Sequence, residues 1–102
     1  MTVFLYRWRL KPGRDEDFRE AWRELTQSIL ETHGTLGSRL HRGNDGTWWA
    51  YAEWASREQR ERARILGSAN PQAATRMHSC IDQGYEEVEL EVTDDLLQPA
   101  QR

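Results

Sequence analysis

The side chains in this 102-residue sequence best suited to chemistry are three histidines, a cysteine and two groups of aromatics. An imidazole titrates near neutrality and offers a nitrogen lone pair, so each histidine is a potential base or ligand. His78, beside Met77 on a short expected helix, is the candidate general base, with Tyr51 as a second candidate catalytic group. His33 reads instead as a helix C-terminal residue favoured by the dipole. His41 shares an edge strand with Arg39 and is expected to face solvent or a dimer seam. These spacings contain no His-x-x-x-His or Cys-x-x-Cys pair, so no metal site is expected. Gly-rich phosphate loops, a nucleophile elbow and a Ser-His-Asp pattern are also missing. The single cysteine, Cys80, has no basic flank that would activate it and reads as a small buried hydrophobe near a helix end.

Tyr6 and Trp8 fall on one side of an extended run, and Trp49 and Tyr51 share one side of another. If they line one pocket, Tyr6, Trp8 and Trp49 supply flat walls for an aromatic substrate, and the tyrosines add hydroxyls that orient it. Taken singly, each is more readily explained as core. Arg7 and Arg9 lie on the second face of the first run. They are expected to pair with Glu87, Glu89 and Glu91 of the last strand, or else to hold an anionic ligand. Glu53 reads as an ion-pair partner of Arg7 or Arg9.

The elements that would position these groups follow from periodicity. Residues 3–10 alternate, with Phe4, Tyr6, Trp8 and Leu10 opposite Val3, Leu5, Arg7 and Arg9, and Pro12-Gly13 ends the strand. Phe18, Trp22, Leu25 and Ile29 trace one helical stripe within residues 14–33, closed at His33-Gly34. A polar strand over 35–42 and a strand over 47–54 flank Asn44-Asp45-Gly46, a hairpin signal. Trp48, Ala50, Ala52 and Trp54 then oppose Trp49, Tyr51 and Glu53. Ser56 with Gln59 forms a capping box, and the helix it opens breaks at Gly67-Ser68-Ala69. Asn70-Pro71 restarts a short helix to about Ser79. Residues 85–93 alternate Val88, Leu90 and Val92 with Glu87, Glu89 and Glu91.

The order β-α-β-β-α-β predicts an α+β, ferredoxin-like domain: a four-stranded antiparallel sheet with helices on one face. Strands one and three carry large residues on both faces and should be central. Helices on one face leave the other bare, and a second copy is the expected cover, giving a homodimeric α+β barrel. Residues 1–94 form the domain and 95–102 a poorly ordered tail.

Composition narrows the function classes. A net charge of −3, with 30% charged residues of both signs interspersed, leaves no basic face for nucleic acid. No apolar run is long enough to span a bilayer, and the first residues lead directly into charged alternation rather than a signal core. One cysteine allows no intrachain disulfide, consistent with a cytoplasmic setting.

Three stretches carry a family likeness: Trp-Arg-Leu-Lys-Pro-Gly-Arg at 8–14 leading to Phe18 and Trp22, Gly-Ser-Arg-Leu-His-Arg at 37–42, and Tyr-Ala-Glu-Trp-Ala-Ser-Arg-Glu at 51–58. Over residues 3–92 the chain resembles the antibiotic biosynthesis monooxygenase domain family of the dimeric α+β-barrel superfamily. The resemblance implies a homodimer with a pocket between sheet and helices in each subunit. It also implies oxidation of a small phenolic or quinol-like compound by dioxygen, without metal or flavin. Quinol-oxidising members often carry histidines in the second helix and near the following break; here residues 60–66 and 68–71 contain none. A non-catalytic small-molecule-binding or accessory module is therefore the alternative. Haem-degrading relatives provide a further one, in which His78 would approach the position of the iron ligand, while Tyr6 and Ala63 stand where those relatives carry Asn and Trp.

Overall fold

The alternation at the start of the chain forms β1, Thr2–Leu10, and the Pro12-Gly13 turn leads into α1, Asp15–His33. The acidic first turn of α1 suits its dipole, and Gly34, at φ 67°, takes the left-handed cap that a side chain would resist. β2, Gly37–Arg42, and β3, Trp48–Trp54, follow as an antiparallel hairpin. Its turn is tied by Asp45, whose Oδ1 accepts from the Thr47 amide at 3.0 Å and the Thr47 hydroxyl at 2.6 Å. The remaining elements are α2, Arg57–Leu66; α3, Pro71–Ser79; β4, Ile81–Gly84; and β5, Val88–Glu91. This computed structural model describes residues 1–98.

The sheet runs β2-β3-β1-β4, with β5 also paired to β1, so the two strands rich on both faces are central. β1 and β3 pair from Thr2↔Trp54 to Trp8↔Trp48. The expected last strand over residues 85–93 is shortened to β5, and a further short strand, β4, precedes it. β4 begins one residue beyond Cys80, the C-cap of α3, and β5 resumes after Tyr85, Glu86 and Glu87. Both hydrogen-bond to β1, at its two ends, with a register shift between Arg9 and Leu10. The fourth position of the sheet is thus one interrupted edge, and the antiparallel sheet has five strands. Residues 95–98 form no helix or strand, and the rest of the expected tail, 99–102, lies outside the described residues.

The core sits where α1 and α3 meet the sheet: Phe18, Ala21, Met77 and Cys80 against Trp48, with Trp8 and Leu10 packed alongside. Phe18 is wholly buried, its ring edge-on to Trp8 at 5.3 Å and Trp48 at 5.8 Å. Burying such a ring contributes about 1.5–3 kcal/mol, and each edge-to-face pair roughly 0.5–1.5 more. By contrast α2 buries no residue. Charge holds it: Arg57 pairs with Glu89, and Arg60 lies 4.1 Å over the Phe4 ring and 2.9 Å from Glu87. No helix among the described residues is long and apolar enough to cross a membrane.

Candidate functional site

The stripe of α1 packs tightly only at its first member. Phe18 is fully buried, whereas Trp22, Leu25 and Ile29 are partly buried and stand above Ala50 and Ala52 of β3. Two alanines in the middle of a central strand leave the space that larger residues would fill. The result is an inner chamber of about 220 Å³, walled by Tyr6, Trp8, Trp22, Ala50, Ala52 and Met77. An outer chamber of about 290 Å³ adjoins it and shares Tyr6, Leu25, Ile29 and Trp54. His33 closes the α1 side of the outer chamber, Arg60, Ala63 and Arg64 the α2 side, and residues 67–69 form the rest of its roof.

Polar groups are few, and they divide unevenly. In the inner chamber the Ser38 hydroxyl donates to the Tyr51 carbonyl and that of Thr35 to the Glu53 carbonyl, each at 2.7 Å, so the backbone already uses them. At the junction, Tyr6 accepts a 3.4 Å hydrogen bond from Arg60, which leaves its own hydroxyl proton free to donate. Burial pushes the Tyr6 phenol above its ordinary pKa, with Arg60 pulling the other way. Trp54 is 6% exposed, and its buried Nε1 has no hydrogen-bond partner among the described residues. The buried Nε2 of His33 has none either. Such groups are costly to leave unpaired, typically about 1–3 kcal/mol each.

The structure divides the expected site residues between the two faces of the sheet. Tyr6 and Trp8 line the cavity, their rings parallel within 3° at 5.8 Å. Trp49 and Tyr51 do not join them. Tyr6 registers with Ala50, while Trp49 lies opposite Arg7 and Tyr51 opposite Leu5, which puts both on the far face by the two-residue strand period. His78 is exposed and borders neither chamber, because Ala73 and Met77, four apart, form the buried face of α3 and the next residue turns away. The two candidate catalytic groups, His78 and Tyr51, therefore both lie outside the cavity.

Arg7 forms an ion pair, but with Asp45 of the hairpin turn at 3.3 Å. Its guanidinium lies between Trp49 and Tyr85, 4.8 and 4.4 Å from their centroids. The last-strand carboxylates are engaged elsewhere: Phe4 registers with Glu89, which turns that side chain to the helix face and Arg57. Among the described residues neither Arg9 nor Glu53 makes an ion pair. His41 is exposed and stacks on Tyr51 at 6.1 Å. Two site residues escape the sequence reading. Trp54 was legible, since it shares a strand face with Ala50 and Ala52, and small residues beside a large one mark a hollow. His33 is masked by its ordinary place at a helix end.

The chain is thus an α+β domain with a ring-lined hollow between its helices and sheet. The chain belongs to the antibiotic biosynthesis monooxygenase family, whose sequence model matches residues 1–64. Among solved structures it is similar to SnoaB, a cofactor-independent oxygenase from Streptomyces nogalater, at 16% identity and a TM-score of 0.78, over 95% of this chain and 97% of that one. An antibiotic biosynthesis monooxygenase is similar at 15% identity and 0.72, covering 92% and 100%. A conserved protein from Methanosarcina mazei is similar at 13% and 0.72, covering 87% and 89%. At these identities the likeness shows the fold alone. No curated protein sequence matches significantly.

Proposed function

We propose that the protein is a cofactor-independent monooxygenase that oxidises a small aromatic, quinol-like compound with dioxygen. The observation that carries this reading is a ring-lined cavity whose walls include the Tyr6 phenol and Trp54, the latter with a buried Nε1 that has no hydrogen-bond partner among the described residues. Family membership and the description of the similar SnoaB as cofactor-independent support it. The substrate ring occupies the inner chamber against Trp8, Trp22 and Met77. Trp54 and Tyr6 donate to a ring oxygen, and charge building on that oxygen strengthens both bonds. An electron-rich ring so held can pass electrons to dioxygen. In the net reaction one oxygen atom stays on the substrate, and the other leaves as water with two substrate hydrogens.

The far face of the sheet, where Val88 and Leu90 are 49% and 41% exposed, supports a homodimer that covers it. A cytoplasmic setting is supported by the single, buried, free cysteine. Haem does not suit the residues present, since His78, the imidazole that would have to ligate from α3, is exposed outside the cavity. The test is dioxygen uptake with hydroquinone and naphthohydroquinone. Uptake that Trp54→Phe and Tyr6→Phe both diminish is expected. A ligand that raises the Tm of the protein but is never consumed would replace the enzyme reading with a binding module.

A further inference from the structure

We propose that His33 is the base that takes the phenolic proton of the substrate, a role that rests on the aromatic-oxidation reading above. His33 is the one imidazole among the described residues that borders the cavity. Its Nε2 is buried and has no hydrogen-bond partner among the described residues, so its lone pair or N–H is unpaired. The residue is firmly placed: Gln59 of α2 donates to the His33 carbonyl at 3.3 Å and to that of Gly34 at 2.9 Å. The backbone is therefore pinned.

The other titratable groups facing this chamber are Tyr6 from β1 and Arg60 and Arg64 from α2. The two arginines favour a phenolate once it forms. His33 is also the last residue of α1. The step itself is a proton transfer. The substrate O–H bond breaks with its electron pair remaining on oxygen, and an N–H bond forms on His33. The phenolate, held by Trp54 and Tyr6, is the electron-rich form that dioxygen then oxidises.

The test uses 4-nitrophenol, whose phenolate absorbs in the visible, bound to the full-length protein at a pH below its solution pKa, with no turnover involved. Wild type and the exposed-residue control His78→Gln should bind it largely as phenolate. In His33→Gln and His33→Asn the bound phenolate-to-phenol ratio should fall about tenfold, with Tm unchanged. An equal ratio in wild type and both variants overturns the assignment of His33 while leaving the pocket intact. Weaker binding at an unchanged ratio also overturns it, reducing His33 to a contact. Failure of wild type to bind the probe overturns the pocket reading together with the base.

Discussion

Replacing Trp54 with Phe separates a site residue from a core residue, because the two roles predict opposite pairs of outcomes. The substitution removes the pyrrole part of a ring that is 6% exposed, and with it an N–H that has no partner. Lost packing costs roughly 1–2 kcal/mol, a fraction of the 3–5 typical of complete ring removal. Relief of an unsatisfied buried donor returns about 1–3 kcal/mol. The two nearly cancel, so stability should lie within about 1 kcal/mol of wild type, a Tm change of no more than roughly 4–8 °C for a domain of this size. Ligand binding has no such offset. A hydrogen bond to a charged oxygen is worth about 1.5–3 kcal/mol, so affinity for a phenolate should drop roughly 10–150-fold. Thermal denaturation with calorimetric titration of 4-nitrophenol reads both quantities. A loss of stability above about 3 kcal/mol with affinity unchanged would show that Trp54 is only core, and would refute the reasoning.

Two further outcomes follow from the electrostatics. Burial holds the Tyr6 proton above the usual tyrosine range, so the folded protein keeps a proton that the unfolded chain releases near pH 10. That group is neutral in both states at lower pH and contributes no slope there. As pH rises past the unfolded value, stability should fall. Tyrosinate absorbance should show one late-titrating step that Tyr6→Phe abolishes; three tyrosines titrating together would contradict it. Arg57, joined by the Thr2 hydroxyl, holds the Glu89 carboxyl below the ordinary range. Its contribution is present above the unfolded carboxylate pKa and is lost as pH falls through the folded one. Glu89→Gln should flatten the acid limb of the Tm profile and speed amide exchange in α2 relative to α1. Unchanged exchange would show that the pair does not hold the helix.

The fold was largely legible because its strands and helices carry clean periods. The two faces of β1 and β3 announced a central position, and the Ser56–Gln59 box and Asn70-Pro71 opened α2 and α3 where the structure starts them. The last strand was read only in part, since Ile81–Gly84 is too short to show alternation and abuts a helix end. The site was harder, for a physical reason. Aromatics at alternating positions reveal that a strand has two occupied faces, but not which face the helices cover. Trp49 and Tyr51 were therefore grouped with Tyr6 and Trp8, although the register places them across the sheet. The pair Ala50 and Ala52 was the better signal, because a cavity is marked by what is small. Arg7 likewise found Asp45 through the hairpin turn, a contact that depends on the twist and turn geometry rather than on spacing.

The central claim is that the ligand binds between α1 and the sheet, with an oxygen at Trp54. The five tryptophan indole N–H resonances report on it directly, because Trp8, Trp22 and Trp54 line the cavity, whereas Trp49 lies on the opposite face with its Nε1 donating to Thr47 at 3.0 Å. On titration with a phenolic ligand, the Trp54 indole proton should move furthest and downfield, as expected for a newly formed hydrogen bond, and the Trp49 resonance should stay in place. Movement of Trp49 with Trp54 unchanged would put the ligand on the other face of the sheet and contradict the account.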